Sequence, residues 1–430
     1  MKPPKSKMAE LAPNATGGGK SHAEAAESAE FKMTELGPIP VDWEVKRLGD
    51  LFELSAAGDL QAECSSRIKT DINIHPIYSN GLEDAGLYGY TSKPRYRADS
   101  ITITGRGTLG HAEYRTLDFD AIIRLIVMRP SKRLDGRYVA FQINYCNPFH
   151  FEITSIPQLT VPQVSQALIL LPPLAEQRRI AEALSDVDEL ISALGKLIEK
   201  KRNIKTGAMQ ELLGMRNAEF GMRNVPRRRL AGFSGEWVEK RLGEVGDFIG
   251  GGTPSTAIQS YWNGVIDWYT PAEIGVTKYV NKSNRRISLE GLKNSAARLL
   301  PVGTILLTTR ATIGLRAILR HEAATNQGFQ SLVVAEEFDS EFMYYLLSTV
   351  VNEMMERASG STFPEISAPK LKEISVMLPP TLAEQQAIAA VLSDMDAEIA
   401  ALEAKRAKYE SIKQGMMQEL LTGKTRLKGE

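Results

Sequence analysis

The feature that most constrains this 430-residue chain is a forty-residue segment that occurs twice. Residues 174–213 and 382–421 align without a gap, and 22 of the 40 aligned positions are identical. In each copy, apolar residues recur alternately at spacings of four and three, which is typical of a helix that packs in a coiled coil. The sequence therefore predicts two related helices, each about 60 Å long at a rise of about 1.5 Å per residue, in a chain built from two similar halves.

The apolar stripe of these helices can be followed position by position. It comprises Ile180, Leu184, Val187, Ile191, Leu194 and Ile198 in the first copy, and Ile388, Leu392, Met395, Ile399 and Leu402 in the second. Late in each copy the stripe moves, to Ile204, Ala208 and Leu212 and to Ile412, Met416 and Leu420, which predicts a local change of the supercoil. A generic dimerisation coiled coil would show the same periodicity. Because similar domains alternate with the helices in one chain, we favour an intramolecular antiparallel pair.

The segments between the helices also repeat, although weakly. The matched positions are Trp43 and Trp237, Arg106 and Arg310, Thr108 and Thr312, and Gly110 and Gly314. Short apolar runs at 101–104, 121–128, 304–309 and 331–335, separated by Gly, Asn and Pro, predict strands and turns, and 340–357 predicts a helix. Asn80–Gly81 predicts a tight turn, and Thr381 with Glu384 is spaced as a capping box.

We therefore predict an α+β fold in which two mixed α/β domains are separated by two long antiparallel coiled-coil helices, with pseudo-two-fold organisation. The predicted segments are a flexible N-terminal tail over 1–36, a first mixed domain over 37–165, a first helix over 166–216, a linker over 217–234, a second mixed domain over 235–373, and a second helix with the C-terminal end over 374–430. The tail is predicted to be flexible because it contains almost no large apolar residues.

Composition excludes several classes of function. There is no run of 18 apolar residues and no apolar segment after the first lysines, so we predict neither a membrane span nor a secretion signal, and we expect a cytoplasmic protein without membrane contact. Because 52 basic residues balance 52 acidic ones, any DNA affinity must come from local patches or partners. The five scattered histidines do not have the spacing of a metal site, and no catalytic motif is recognisable.

Several motifs in fixed order identify a family. The long helices begin with LPPLAEQRRIAEALSDVD and LPPTLAEQQAIAAVLSDMD and end with KTGAMQELL and KQGMMQELLTGKTRL. The domains open with GPIPVDWEVKRLGDL and GFSGEWVEKRLGEV, and the second continues with GGTPST and YWNGVIDWYTPAEI. Through these motifs, which extend from Gly37 to the C-terminus, the chain resembles the DNA-specificity subunits of type I restriction-modification systems.

The resemblance implies a division of labour among subunits. Each globular domain would be a target recognition domain that reads one half of an interrupted, asymmetric site in double-stranded DNA, while the helices set the spacer and dock the partners. The chain itself would be non-catalytic and would hold no cofactor. Two methyltransferase subunits would methylate adenine with S-adenosylmethionine, and motor-nuclease subunits would use ATP and Mg²⁺ to cleave unmodified DNA.

Sequence readout needs side chains that reach base edges, chiefly Arg, Lys, Asn, Gln, Ser and Thr on loops or helix ends. The candidates in the first domain are Tyr78, Ser79, Asn80, Arg106 and Thr108. The candidates in the second domain are Thr270, Glu273, Lys278, Arg310, Thr312, Asn326, Gln327, Gln330, Ser361 and Thr362. Structural roles stay open beside DNA contact: Asn80 can form a turn, Arg106 and Arg310 can brace loops, and 326–330 can be a loop braced by its own amides.

The candidates for partner docking are Glu176, Gln177, Glu384 and Gln385, on the exposed face that we expect at the two helix entries. Solvation or capping of a helix start is the structural alternative. The whole chain could instead be a coiled-coil scaffold without DNA specificity, or a self-sufficient enzyme. A scaffold would keep every function when Arg106 or Arg310 is replaced. If the helices act as a spacer, inserting about four residues into one of them should lengthen the unread spacer and preserve both half-sites.

Overall fold

The computed structural model describes residues 30–149, 157–214, 226–360 and 364–428. The chain divides into two compact units: the first comprises Met1–Asp188 and Ser411–Glu430, and the second comprises Glu189–Glu410. Both units mix helices and sheets, as the predicted α+β fold requires. No helix within the described ranges is long and apolar enough to cross a membrane.

The first unit consists of short strands and helices together with parts of both long helices. Its strands are β1 (Phe31–Thr34), β2 (Gly37–Pro40), β3 (Glu44–Arg47), β4 (Phe52–Ala56), β5 (Ser65–Ser66), β6 (His75–Tyr78), β7 (Leu87–Thr91), β8 (Ser100–Ile103), β9 (Ala112–Arg115), β10 (Asp120–Ala121), β11 (Ile126–Pro130) and β12 (Leu168–Leu171). Its helices are α1 (Leu48–Leu51), α2 (Gly136–Cys146), α3 (Val161–Gln166) and the first part of α4 (Leu174–Leu213).

Two four-stranded sheets form the body of the first unit, in the orders β10-β6-β7-β5 and β4-β11-β8-β9. A separate antiparallel pair, β3 with β12, joins the start of the domain to the segment directly before α4. The largest hydrophobic cluster of this unit includes Trp43 and Leu48 of the domain together with Ile180 and Leu184 of α4. Domain and helix therefore share one core, which fixes the loops of the domain relative to this part of the helix.

The second unit repeats this plan. Its strands are β13 (Val238–Arg241), β14 (Gly246–Gly250), β15 (Trp262–Tyr269), β16 (Tyr279–Val280), β17 (Arg285–Ile287), β18 (Ile305–Leu307), β19 (Arg316–Leu319), β20 (Ala323–Thr325), β21 (Gln330–Val334) and β22 (Ser375–Leu378). Its helices are α5 (Leu289–Lys293), α6 (Ser340–Leu346), α7 (Val351–Arg357), α8 (Ala368–Lys372) and most of α9 (Leu382–Leu420).

The sheets of the second unit are five-stranded, in the order β14-β21-β18-β19-β16, and three-stranded, in the order β17-β15-β20. The antiparallel pair β13 and β22 corresponds to β3 and β12 of the first unit. Trp237 and Phe342 of the domain share a buried cluster with Ile388 and Leu392 of α9 and Leu212 of α4. As in the first unit, the domain and the helices are held together by a common apolar core.

In each unit the long helices pair antiparallel, which confirms the predicted arrangement of the coiled coil. The ion pairs that join them are Lys201–Glu398, Arg202–Glu403 and Lys205–Asp396 in the second unit and Lys413–Asp188 in the first. Lys205 and Asp396 correspond in the repeat to Lys413 and Asp188, with the two helices exchanged. The same contact therefore forms once in each unit.

Three predictions about the helices need correction. Ile204 and Ile412 do not continue the apolar stripe, because they are 47% and 40% exposed; near both residues the contact between the helices is made by lysine ion pairs. Only half of the capping box forms: Thr381 Oγ1 accepts a hydrogen bond from Glu384 N at 3.3 Å, but the Glu384 carboxylate contacts the domain instead. The helix predicted over 340–357 is divided into α6 and α7 by a 3₁₀ turn at Leu347–Val350.

Three predictions about the first unit are also wrong. Residues 30–36, assigned to the flexible tail, include β1, which pairs antiparallel with β2. The connection between β6 and β7 uses residues 79–86, so Asn80–Gly81 is not a two-residue hairpin turn. The strand predicted over 121–128 is interrupted between β10 and β11 by a turn at residues 122–125, which we call the 122–125 turn. Apolar composition alone does not reveal such an interruption, since turns within a sheet can also be apolar.

Candidate nucleic-acid interface

Glu176 and Gln177, at the start of α4, are buried in the first unit, each with 3% exposure. Glu176 Oε2 accepts a hydrogen bond from Trp43 Nε1 at 3.2 Å, and its two carboxylate oxygens accept from the Arg426 guanidinium at 2.7 and 2.8 Å. Gln177 Oε1 accepts from Asp135 N, at the start of α2, at 3.0 Å. The expectation that these two side chains lie on an exposed docking face is wrong, because they bind their own domain to the helix.

Glu384 and Gln385 make the equivalent contacts in the second unit, with 1% and 2% exposure. The Glu384 carboxylate accepts from Trp237 Nε1 at 3.3 Å and from Arg229 Nη2 at 2.6 Å. Gln385 Oε1 accepts from Asp339 N, at the start of α6, at 2.9 Å. These two residues are likewise buried joints between domain and helix, and their expected exposure is also wrong.

The arginines of the two joints come from different parts of the chain. Arg229 precedes the second domain, whereas Arg426 lies at the C-terminal end, beyond α9. Arg426 also donates to both carboxylate oxygens of Asp42 at 2.8 and 2.6 Å. These bonds lower the pKa of Asp42 below its ordinary value. The hydrogen bond to Glu176 raises the pKa of Arg426 above the ordinary value of an arginine. The segment after α9 thus supplies the arginine that binds Glu176 in the first unit, and the linker supplies the arginine that binds Glu384 in the second.

Loops of the second unit meet around a cleft of about 430 Å³. It is lined by Pro271, Ala272, Arg310, Ala311, Thr312, Asn326, Gln327 and Gly328. Four of the predicted DNA contacts, at 310, 312, 326 and 327, are therefore brought together from segments well separated in sequence. A guanidinium, two amides and a hydroxyl supply the donors and acceptors that contact phosphates and base edges in nucleic acids.

Arg310 lies on a tightly folded loop. Thr308 Oγ1 donates to Thr312 O, Thr312 N donates to Arg310 O at 2.7 Å, and Ala311 has a left-handed φ of 62°. The Arg310 side chain is 50% exposed, and its Nε lies 3.9 Å from Glu365 Oε2. An ion pair this exposed contributes little, so the guanidinium is available to an incoming anion.

The amide loop at 326–328 is partly braced by its own side chains. Asn326 Oδ1 accepts from Gly328 N at 2.9 Å, and Gln327 Oε1 accepts from Thr253 Oγ1 at 2.6 Å. The Asn326 amide nitrogen donates to no residue in the described part of the chain, and Gln327 is exposed. The loop is therefore braced by its own amides, and both side chains keep further hydrogen-bonding capacity. Gln330 begins β21 and does not line the cleft.

Thr270 and Glu273 flank Pro271 and Ala272, which line the same cleft. Glu273 Oε2 accepts from Thr270 N and Thr270 Oγ1, both at 2.8 Å, and its other oxygen accepts from Asn284 N at 2.7 Å. Both carboxylate oxygens are thus used to hold the backbone that leads into the cleft. The last two candidates of this domain, Ser361 and Thr362, lie outside the described residues.

Lys278 has a structural role rather than an exposed position. Its side chain is 10% exposed, and its Nζ donates to Glu341 Oε2 at 2.9 Å, to the Tyr345 hydroxyl at 3.1 Å and to Ser393 Oγ at 2.7 Å. Ser393 belongs to α9, so this network ties the domain to the long helix within the second unit. The expectation that Lys278 is available for a DNA contact is wrong because every donor of its ammonium group has a partner.

In the first unit, Tyr78 and Ser79 are mainly packing residues. The Arg115 guanidinium carbon lies 3.6 Å from the centre of the Tyr78 ring, and the Phe119 ring centre is 5.7 Å away. Ser79 N donates to Gly86 O at 2.8 Å. Both residues are half-buried, so neither side chain is freely presented to a ligand.

Asn80 joins two loops of the first unit. Its Oδ1 accepts from Gly105 N at 2.9 Å and from Arg106 N at 3.3 Å, while its Nδ2 donates to Ile123 O. The Asn80 side chain therefore braces these two loops, and the predicted tight turn at Asn80 does not form. Arg106 is exposed, and its Nη2 donates to Gln158 Oε1 at 3.2 Å.

The loops that carry Arg106 and Arg310 have the same internal structure. Thr104 Oγ1 donates to Thr108 O as Thr308 Oγ1 donates to Thr312 O. Thr108, like Thr312, is exposed. The two arginines thus occupy equivalent, accessible positions, which supports a task that both units share.

The 122–125 turn, which sequence reasoning missed, lies beside this arginine loop. Leu125 N donates to Ile122 O at 3.4 Å, and between them Ile123 and Arg124 have left-handed φ values of 52° and 64°. Residues held in this region cost about 1–3 kcal/mol each and concentrate at functional sites. Arg124 is exposed. Its position as a lone charge in the apolar run 121–128 is the sequence signal that could have identified it.

Comparison with known proteins identifies a family and relatives of this chain. A family model described as the type I restriction modification DNA specificity domain matches residues 40–203 and 234–413. The type I restriction enzyme MjaIX specificity subunit of Methanocaldococcus jannaschii is 41% identical over 165 residues, which cover 37% of this chain and 38% of that protein. The putative MjaX specificity subunit of the same organism is 27% identical over 428 residues, which cover 93% of this chain and 97% of the relative.

Solved structures share the fold. A type I restriction-modification system S subunit from M. genitalium superposes with a TM-score of 0.61 at 16% identity, over 88% of this chain and 96% of the other. A chain from a study of complex assembly and conformational transition of the type I R-M system superposes with a TM-score of 0.55 at 18% identity, over 90% and 99% of the two chains. At these identities, the similarity concerns the fold.

Proposed function

Given that this chain belongs to the family of type I restriction-modification DNA specificity subunits, we propose that each unit reads one half of an interrupted DNA site through the loops described above. Arg106 and Arg310 would contact phosphates in their respective half-sites. The side chains that differ between the units, among them Asn326 and Gln327, would contact base edges. Phosphate contacts position a protein on DNA, whereas base contacts supply specificity.

One observation supports this proposal most strongly, namely that the cleft of the second unit brings Arg310, Thr312, Asn326 and Gln327 together. In such a group, the arginine can contact a phosphate while the neighbouring amides contact an adenine edge. Asn and Gln donate to N7 and accept from N6 of adenine in a bidentate pair. The formal net charge of the chain is zero. Local groups of this kind must therefore supply the affinity.

We further propose that the chain guides catalysis by other subunits and does not itself turn over substrate. The methyl donor S-adenosylmethionine, ATP and Mg²⁺ would then be bound by methyltransferase and motor-nuclease partners. Because the four glutamate and glutamine residues at the helix entries are buried, any partner that docks there would contact the neighbouring exposed side chains instead. The spacer role of the two long helices stays a prediction.

The test is to co-express the chain with its cognate methyltransferase subunit and to map methylated adenines across a host genome. We expect one discrete, interrupted motif. Arg106→Ala and Arg310→Ala should each weaken DNA binding for all sequences and reduce the slope of log affinity against log salt by about one.

The matched control is Arg129→Ala, since Arg129 is an exposed arginine that pairs with Glu53 on β4, away from these loops. It should leave both the motif and the salt slope unchanged. A methylation map without a discrete motif would refute the specificity function. Full retention of binding in both loop-arginine variants would favour the scaffold alternative.

A further inference from the structure

We propose that Arg124, in the 122–125 turn, is a base-reading side chain of the first unit and recognises a guanine in the half-site that this unit reads. The inference rests on the function proposed above and assigns a specificity residue within it. We also assign Asn80 as the residue that positions this turn. Neither role follows from the sequence motifs, since the apolar run 121–128 predicts a strand through Arg124.

The 122–125 turn occupies the place of the amide loop in the second unit. Ile122 N donates to Tyr78 O at 2.9 Å, and Asn326 N donates to Tyr269 O at 3.0 Å. In both units the strand that ends at this tyrosine pairs in parallel with the strand that leads into the loop. Ile122 and Asn326 therefore begin equivalent loops.

A second contact shows that Arg124 and Gly328, two residues later in these loops, are also equivalent. A Cβ atom added to Gly105 would lie 2.5 Å from Arg124 O, so the two backbones are in close contact. In the second unit, Thr309 N donates to Gly328 O at 2.9 Å. Arg124 thus stands where the second unit has Gly328, on the wall of the cleft described there.

The backbone of the turn is held in one conformation. Both central residues, Ile123 and Arg124, are left-handed, which is an outlier for a β-branched residue such as isoleucine. Asn80 donates to Ile123 O and accepts from Gly105 N and Arg106 N. One amide therefore fixes the turn and the arginine loop relative to each other, which preorganises the Arg124 side chain.

The Arg124 guanidinium is free to bind a ligand. It is exposed, and within the described ranges no hydrogen bond, ion pair or ring contact is made by its side chain. Arginine offers two parallel N–H donors in a planar fork. That fork matches O6 and N7 of guanine in the major groove, the commonest specific contact between arginine and DNA.

The difference between the units favours a base contact over a phosphate contact. A phosphate contact would serve both half-sites equally, and Arg106 and Arg310, which the two units share, fit that task. Arg124 has no counterpart, since the equivalent residue is Gly328. Two domains that read different half-sites must differ at their reading positions, and this is such a position.

The test compares methylation maps of the complex with the cognate methyltransferase subunit, for the wild-type chain and for Arg124→Ala, Arg124→Lys and Arg124→Gln. In the wild type, one half-site should contain a guanine that is strictly required. In the Ala and Lys variants, discrimination at this one position should fall by about 5- to 150-fold, the equivalent of one bidentate pair. Lysine keeps the charge but lacks the fork, so it separates geometry from charge and from any loss of folding.

Arg124→Gln should shift the preference at this position toward adenine, which a glutamine contacts in bidentate fashion. Asn80→Ala should reduce discrimination at the same position and leave the other positions of that half-site intact, as expected of a positioning residue. Gln327→Ala in the second unit should relax specificity only in the other half-site. It therefore shows which half-site each unit reads. Arg129→Ala is the control that should change nothing.

Several results would overturn the assignment. One is that the Arg124 variants relax specificity at no single position of the half-site. Another is that they weaken binding equally at all positions and lower the slope of log affinity against log salt, which indicates a phosphate contact. A third is loss of specificity in the half that Gln327→Ala alters. These outcomes all leave a discrete wild-type motif, whereas failure of the proposed function removes the motif itself, so the two failures are distinguishable.

Discussion

In both units a tryptophan and an arginine converge on a buried glutamate at the start of a long helix: Trp43 and Arg426 on Glu176, Trp237 and Arg229 on Glu384. The equivalent loops differ, with 326–328 reading Asn-Gln-Gly in the second unit and 122–124 reading Ile-Ile-Arg in the first. The same contacts thus hold domain and helix together in both units, whereas the loops differ between them. The comparison separates residues that build a unit from residues that distinguish one unit from the other.

The largest effect should follow from removing the glutamate of either joint. Glu176→Ala and Glu384→Ala each remove the acceptor of a buried tryptophan N–H and the carboxylate that pairs with a mostly buried arginine. Breaking a buried pair in this way costs about 3–5 kcal/mol. Urea unfolding, with hydrogen exchange resolved by unit, should show the loss in the first unit for Glu176→Ala and in the second for Glu384→Ala.

A matched control for these variants is Glu182→Ala, an exposed position on α4 whose counterpart on α9 is already Ala390. It should change the free energy of unfolding by less than about 0.5 kcal/mol. If Glu384→Ala had no larger effect than this control, the joint would not be a major source of stability.

An effect of similar size is expected from the two arginines. Arg426→Ala should destabilise the first unit, and Arg229→Ala the second, each by about 3–5 kcal/mol, because a buried carboxylate is left without its cation. The measurement is again hydrogen exchange resolved by unit. Equal loss in both units from Arg426→Ala would contradict the view that the chain end belongs to the first unit alone.

Lys278 and Arg310 should separate stability from DNA binding. Lys278→Met removes three hydrogen bonds within the second unit and should lower its stability by about 1–2 kcal/mol, without changing the salt slope of DNA binding. Arg310→Ala should reduce that slope by about one with little loss of stability, because its side chain is half exposed. Both variants are measured by fluorescence binding and by unfolding. If Lys278→Met changed the salt slope and Arg310→Ala changed only the stability, the roles proposed for the two residues would be wrong.

The smallest effect is a pH dependence confined to the first unit. Hydrogen bonding to Arg426 lowers the pKa of Asp42 in the folded chain below its ordinary value of 3.8. The resulting stabilisation is present above that ordinary value and is lost as pH falls through the lowered, folded value. The stability difference between wild type and Asp42→Asn should therefore be constant near neutral pH and shrink below about pH 4. A difference that persists unchanged to pH 2 would show that the bond to Arg426 does not depend on the Asp42 charge.

Much of the architecture could be predicted because it depends on local periodicity. The four-three spacing of residues such as Ile180 and Leu184 predicts α4, and the weak repeat that links Trp43 to Trp237 predicts two related domains. The equivalence of Arg106 and Arg310 was likewise visible at a constant offset. Such features follow from the order of residues, since side chains three and four apart share one face of a helix.

Burial and pairing could not be predicted in the same way. Glu176 and Glu384 have the composition of solvated helix starts, but they are buried because a tryptophan and an arginine from distant segments meet them. The sequence around Lys278 predicts an exposed cation, but in the folded chain three partners from α6 and α9 bind its ammonium group. A charged side chain is buried only where its partners converge, and convergence is a property of the folded chain.

The sequence by itself determined the duplicated plan, the two long helices and the family to which the chain belongs. Only the tertiary structure decided which polar residues are buried in the units and which remain exposed on the loops. It also revealed that Arg124 occupies the place of Gly328, although the surrounding residues share little similarity. The physical reason is that helical periodicity is encoded over a few neighbouring residues, whereas a cleft is formed by loops that only long-range sheet pairing brings together.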